Sequence, residues 1–346
     1  MNDIKQCELP HGIREVKQNI SKIQKLVEYP KLHSKPSCVK KLFLCFQGYF
    51  NKTWGSRTNV NTPPFSGTVE QITEIWARVA EDYAPFNIDV TTEPYAEENG
   101  KVAIVAIGGS WSDWYSGSAG GVAYVGGFYN LSPGVGYVFA NSLGNNAKYI
   151  AEAASHEAGH LFGLQHQALW NGTTLVSQYN SGNGNYAPIM GVGYYANKTL
   201  WYNGPTAAGP TSLQDDFAVL AGPYNGFGVV PDDYNEAKPT QIIGGIIDIS
   251  GIINNTTDVD NWTFFTPGGD FNIKIEGSII GSNLDPILDI VDSSNNVLAT
   301  GNQINIKLNA GQYWLKAKNN GVTGNIGPYT IKGTVNSYNN ITINNG

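Results

Sequence analysis

The chain has 346 residues, enough for about two domains at roughly 150 residues each. Its 41% hydrophobic and 12% aromatic content excludes wholesale disorder, and only 14% of residues are charged against about 25% in a typical globular chain. The net charge of −7 argues against nucleic acid as a partner, and no apolar run reaches the roughly 18 residues of a membrane span. The charge is uneven: residues 1–41 carry +5 and the rest −12, so the basic leader is either a solvated helix or a segment that docks on an acidic body. Three cysteines (Cys7, Cys38 and Cys45) are too few and odd in number for a disulfide scaffold. The start, Met1–Cys7, lacks the apolar core of a signal peptide.

Residues 11–28 place Ile13, Val16, Ile20, Ile23 and Val27 at helical spacing among Lys and Gln, an amphipathic helix closed by Pro30 and Pro36. Lys41–Phe46 reads as a buried strand, and Pro63-Pro64 as a loop. Thr68 and Gln71 form a capping box that opens a helix with Val69, Ile72, Ile75, Trp76, Val79 and Tyr83 on one side, limited by Pro85. Phe86–Val90 alternates as a strand, and Lys101–Ile107 reads as a strand buried on both faces. A Gly/Ser/Trp loop follows, then strands at Val122–Val125 and Val135–Ala140 and a helix from about Ala147 to Phe162. This order predicts an α/β half-domain with a mostly parallel, twisted sheet. Gly163 to Gly228 is irregular, with one helix near Leu213–Leu220 that Asp215-Asp216 opens or caps. Pro231–Pro239 reads as a linker. Beyond it, Trp262–Phe265, Phe271–Ile275, Ile287–Val291, Ile304–Leu308, Tyr313–Ala317 and Tyr329–Val335 alternate between turn signals, the pattern of an all-β sandwich of about 100 residues.

The chemistry sits in Ser155-His156-Glu157-Ala158-Gly159-His160-Leu161-Phe162-Gly163-Leu164-Gln165-His166, which holds three of the chain's five histidines. His156 and His160 are four apart on a helix, so both rings leave one face and grip one ion. Glu157 lies about 100° further round, within reach of a water at that ion. Gly163 lets the helix stop and the chain reverse, bringing His166 back as a third ligand. Three neutral imidazoles leave zinc an open position, the arrangement of a catalytic site; a structural site closes the tetrahedron with a fourth protein ligand.

The segment resembles the metzincin zinc-peptidase signature, HExxH extended by a Gly and a third His. Ala187-Pro188-Ile189-Met190-Gly191 resembles that family's Met-turn, with Met190 the only methionine besides Met1. The likeness runs from about Lys41 to Gly222 and is greatest to a bacterial-type branch, through IWARVAEDYAPFNIDVTTE and APIMGVGYY. Two positions depart from the pattern. Gln167 follows the third His where many metzincins carry an acid, and Tyr194 and Tyr195 come four and five residues after the Met rather than two. They stand as the candidates for a transition-state tyrosine. Cys7 is either an idle thiol or the zinc-capping cysteine of a latency segment. Asp258-Val259-Asp260-Asn261-Trp262, the Pro267-Gly268-Gly269 turn and Gly311-Gln312-Tyr313-Trp314-Leu315 resemble the pre-peptidase C-terminal domain of secreted bacterial peptidases. Asp258 and Asp260 are solvated turn residues or calcium ligands.

The expected organisation is a basic helical leader at 1–40, a metzincin-like domain at 41–230, a linker at 231–239, a β-sandwich at 240–338 and a disordered tail at 339–346. The expected function is zinc-dependent hydrolysis of peptide bonds, with His156, His160 and His166 on the metal, Glu157 as general base and Met190 supporting them from the Met-turn. One of the strands Val122–Val125 or Val135–Ala140 borders the cleft and offers an open edge to an extended substrate. The partner is a protein or peptide, with the sandwich binding a surface or polymer. The resemblance implies a secreted protein; an intracellular or virion-associated one is the alternative. A catalytically idle scaffold acting as an adhesin is the rival function, and a zinc hydrolase of non-peptide substrates the third.

Overall fold

The computed structural model describes residues 4–7, 29–95, 100–234, 240–242 and 245–336. The helix expected at 11–28 and the tail expected at 339–346 lie outside the described residues, as do residues 235–239 of the linker. Contacts divide the chain into Met1–Val229 and Val230–Gly346.

The first unit opens with β1 (Ile4–Cys7), β2 (Lys41–Cys45), β3 (Tyr49–Trp54), β4 (Arg57–Thr62) and helix α1 (Val69–Asp82). It continues through β5 (Asp89–Thr91), β6 (Val102–Ile107), β7 (Gly121–Tyr124), a short α2 (Gly127–Asn130), β8 (Gly134–Val138) and α3 (Ala147–Leu161). A six-stranded sheet has the order β1-β7-β8-β6-β2-β5. Its β5, β2, β6 and β8 run parallel, while β7 is antiparallel to β8 and β1 to β7.

The sheet is covered on both faces, which is why β6 is a continuous apolar run and β2 is one after Lys41, with every residue of both buried. On one side Leu42, Leu44 and Val105 meet Ile72, Ile75 and Val79 of α1 and Ile150 and Leu161 of α3. On the other, Phe43, Ile104 and Tyr137 meet Trp54 and Val60 from the β3–β4 hairpin. Sequence periodicity leaves that hairpin unassigned because Trp54 and Val60 are the only apolar side chains its two strands bury. The capping box of α1 is present in both directions: Gln71 N donates to Thr68 Oγ1 at 3.3 Å, and Thr68 N to Gln71 Oε1 at 3.0 Å. The strand expected at Phe86–Val90 begins only at Asp89, with Phe86 held by a lone bridge to Val229.

The outer edge of β7 is not open. Ile4 pairs with Tyr124 and Cys7 with Gly121, so the leader satisfies the backbone groups that an edge strand otherwise presents to a partner. Pairing between segments more than a hundred residues apart leaves no local pattern, so the expectation of a free edge is corrected here.

After α3 come three short pairs: β9 (Leu169–Asn171) with β10 (Thr174–Ser177), β11 (Tyr186–Pro188) with β12 (Lys198–Leu200), and β13 (Asn203–Pro205) with β14 (Leu213–Asp215). Helix α4 (Asp216–Leu220) follows, with Asp215 as its cap accepting the Ala218 amide.

The second unit holds β15 (Thr240–Gln241), β16 (Ile246–Ile253), β17 (Val259–Thr266), β18 (Gly269–Gly277), β19 (Ile287–Asp292), β20 (Val297–Gly301), β21 (Gln303–Leu308), β22 (Gly311–Lys318) and β23 (Gly327–Thr334). They form two sheets, β15-β17-β22-β19-β20 and β16-β23-β18-β21. Alternate side chains are buried, among them Phe271, Ile273 and Ile275 of β18 and Leu315 and Ala317 of β22, as in a sandwich with one inner face per sheet.

Candidate metal centre

Helix α3 starts at Asn146, whose side chain accepts the Tyr149 amide, and carries His156, Glu157 and His160 in its last turns. All three are buried, with His156 2% exposed and Glu157 and His160 at 0%. The chain leaves the helix through Gly163, which sits at φ 104°, a conformation that costs glycine nothing. Gly163 N donates to His160 O and Leu164 N to Gly159 O, both at 2.9 Å. This reversal returns His166, 5% exposed, to the helix. One ring nitrogen from each of His156, His160 and His166 lies within 4.8 Å of the others. His160 Nε2 and His166 Nε2 are 3.0 Å apart.

Backbone carbonyls set the tautomers. His156 Nδ1 donates to Ile189 O at 2.8 Å, and His160 Nδ1 donates to Leu164 O at 2.7 Å. A neutral imidazole that donates from Nδ1 carries its lone pair on Nε2, so both rings aim an acceptor at the common point. Burial, opposed by the Ile189 bond, pushes the His156 imidazole down to about 4, which keeps it neutral near pH 7. Its Nε2 is buried without a hydrogen-bond partner. An orphaned lone pair among two further imidazoles fits a zinc ion, whose tetrahedral nitrogen ligands stand about 3.3 Å apart at ordinary bond lengths.

Ala187–Gly191 forms the floor. Gly191 N closes the turn on Pro188 O at 2.9 Å. Ile189 O holds His156, and Met190 O accepts the Gln167 amide at 2.8 Å, tying the turn to the segment of the third histidine. Met190 is fully buried, and a Cβ placed on Gly159 would fall 2.5 Å from its sulfur. The glycine inside the motif is therefore the space that the thioether fills.

Glu157 lies over the sheet. A Cβ on Gly121 of β7 would come within 2.7 Å of Glu157 Cγ and Oε1, so the strand passes close beneath the carboxylate only because it has no side chain there. Tyr194 is buried and stacks edge-on with Tyr149 at 5.3 Å, and Tyr195, 49% exposed, meets the same ring at 6.1 Å. The aromatic ring beside the histidines belongs instead to Tyr179, 4.3 Å from His166 and 6.4 Å from His156 by ring centres. Tyr179 follows the exposed β9–β10 pair, where no periodicity or motif spacing marks it.

A second carboxylate cluster lies in the Val230–Gly346 unit. Asp260 gathers with Asp232 and Asp233, their oxygens within 4.8 Å of one another. Asp260 is fully buried, accepts the Tyr329 hydroxyl through Oδ2 and has no hydrogen-bond donor on Oδ1. Asp258 instead accepts the Asn254 amide at 2.8 Å as a turn clamp.

Residues 82–167 match the family described as Metallo-peptidase family M12B, reprolysin-like, a stretch that includes Glu157 and all three histidines. No curated protein matches the chain. Among solved structures, a pre-peptidase C-terminal domain of a collagenase from Bacillus anthracis is similar at 18% identity, over 28% of this chain and 94% of that one, with a TM-score of 0.24. A mitogen derived from Yersinia pseudotuberculosis is similar at 16% identity, over 28% of this chain and 89% of that one, with a TM-score of 0.22.

Proposed function

We propose that the chain is a metzincin-type zinc endopeptidase of secreted type, whose first unit cleaves peptides and whose second, resembling a pre-peptidase C-terminal domain, binds a surface or polymer. The observation that carries this reading is the convergence of His156, His160 and His166, with the His156 acceptor buried and unpartnered. When bound, zinc supplies an acidified water and polarises the scissile carbonyl. His156 and His160 are held for that ion by Ile189 O and Leu164 O, so little reorganisation accompanies binding. Glu157, one residue from a ligand and excluded from solvent, takes the proton of the attacking water and passes it to the leaving amine. The purified chain should cleave casein, lose that activity to a chelator and regain it with zinc. A zinc-replete chain that leaves casein intact favours the idle-scaffold alternative.

A substrate strand enters on β7, the strand that runs beneath Glu157 and that Ile4–Cys7 covers. Deleting residues 1–10 is expected to raise kcat/KM on short peptides by about tenfold, mostly through KM, because apparent affinity scales with the fraction of molecules whose edge is free. Equal KM values for the two chains would remove β7 from the substrate path.

The second unit takes calcium at Asp232, Asp233 and Asp260 in this reading. Burial pushes the Asp260 carboxyl up to about 8, against the Tyr329 bond and helped by the charges of Asp233, Asp258 and Asp232. A carboxyl that binds its proton more tightly when folded stabilises the fold fully below its ordinary value near 3.8, and this is lost as pH rises through about 8. In chelator the unit should therefore melt lower at pH 8 than at pH 5. Calcium should restore it chiefly at pH 8, by about 2.7 kcal/mol at a hundredfold excess over its dissociation constant. Asp260→Asn should flatten both dependences; a melting point at pH 8 indifferent to calcium rules the site out.

A further inference from the structure

Gln167, the residue after the third histidine, is fully buried and bonds an acid from a later element. Asp216, the first residue of α4, is fully buried beside the return segment. Its Oδ1 accepts Gln167 Nε2 and Gln214 Nε2, both at 2.8 Å, and its Oδ2 accepts the Tyr202 amide at 3.0 Å. Gln214 reaches on to the residue on the other side of the histidine: its Oε1 accepts Gln165 N and its Nε2 donates to Gln165 O, each at 2.9 Å. Gln167 Nε2 also donates to Gln214 O at 2.9 Å. The two neighbours of His166 are thus bound to one carboxylate, Gln167 through its own side chain and Gln165 through Gln214.

We infer that Asp216 is a positioning residue for the third metal ligand, holding the Gln165–Gln167 backbone so that the His166 ring meets those of His156 and His160. The helix gives His156 and His160 their places through its own geometry, but His166 stands on an irregular segment that is tied by the lone Gln167–Thr206 bridge and the Gln167 amide bond to Met190 O on its far side, and by Gln214 and Asp216 on both. Three donors converge on Asp216, so the position requires an acceptor on both oxygens. It also explains the amide at 167: an acid there would face the Asp216 carboxylate and the Gln214 carbonyl with no hydrogen to offer. Asp216 touches neither the metal position nor a substrate, and acts only through Gln165 and Gln167.

The inference rests on the zinc reading, and its test separates the two. In the full chain, Asp216→Asn places an NH2 against at least one of the three donors. Zinc affinity, measured by competition with a chromophoric chelator, should fall about tenfold, the lower end of the range for groups that hydrogen-bond a ligand directly, because Asp216 acts one residue removed. The visible spectrum of the cobalt-substituted protein should shift as the third imidazole loosens. Gln214→Met, which keeps the volume and frees only the Gln165 side of the clamp, should show a smaller loss and keeps the test decisive if Asp216→Asn does not fold. Asp215→Ala removes the α4 cap next door without touching residues 165–167, so it should lower the melting temperature and leave zinc affinity unchanged. Wild-type zinc affinity and cobalt spectrum in Asp216→Asn, or in Gln214→Met where that variant stands in, overturn the inference, as does an equal loss in Asp215→Ala. A wild-type chain that takes up no zinc overturns the zinc reading and this inference with it.

Discussion

Glu157→Gln is expected to keep its zinc and its fold while losing peptide hydrolysis by at least about 10²–10⁴-fold, the range typical of a general acid–base group. The substitution is nearly isosteric, so the close approach of the side chain to β7 at Gly121 is preserved. What changes is the capacity to accept a proton. Glu157 is adjacent to a ligand yet contributes no atom to the converging set of three nitrogens, so metal content should be unaffected. The measurement is kcat/KM on a quenched fluorescent peptide beside elemental analysis of the same preparation. Near wild-type turnover in a zinc-replete variant would assign the proton transfer elsewhere, and coincident loss of zinc would make the carboxylate a ligand.

His160→Ala should lose most of its metal and, with it, all measurable hydrolysis. The imidazole is fully buried beside the other two, with ring centres 4.7 Å from His156 and 4.8 Å from His166. Its removal leaves two nitrogens and takes away the Leu164 carbonyl's donor, a group whose burial without a partner costs about 1–3 kcal/mol. A ligand that binds only the folded state raises its stability by mass action, so the wild-type melting temperature should drop in chelator and that of the variant should not respond. Full zinc occupancy in His160→Ala would sink the three-histidine assignment.

The features legible in the sequence are those whose cause is local. The Thr68–Gln71 box, the apolar side of α1 and the four-residue spacing of His156 and His160 each follow from helix geometry within a few residues. Gly163 reads as a reversal because few other residues adopt its dihedral, and Met190 stands out as a lone methionine in a Pro/Gly turn. Long, evenly alternating strands such as β18 and β22 are legible for the same reason, whereas β16 and β20 carry a weaker pattern, being interrupted by Ser250-Gly251 or mostly exposed. The pairing of Ile4–Cys7 with Gly121–Tyr124 joins short segments far apart in the chain. The Asp216 clamp depends on side chains 49 residues from Gln167, and Asp215 and Asp216 read alike until one is a surface cap and the other a buried acceptor. Asp232 and Asp233 join Asp260 only through folding, so the sequence pointed to the neighbour Asp258 instead.

Gly159 carries a consequence for engineering. Glycine in the interior of a helix costs about 1 kcal/mol relative to alanine, so a stability-minded redesign of α3 would replace it first. Here the added methyl would land on the Met190 sulfur, in a turn whose two carbonyls hold His156 and the Gln167 amide. The gain in helix propensity is set against the cost of moving the buried Met190 side chain off the added methyl. Helix propensity alone therefore does not decide this substitution, and surface elements such as the exposed β9–β10 pair are the simpler place to seek thermal robustness.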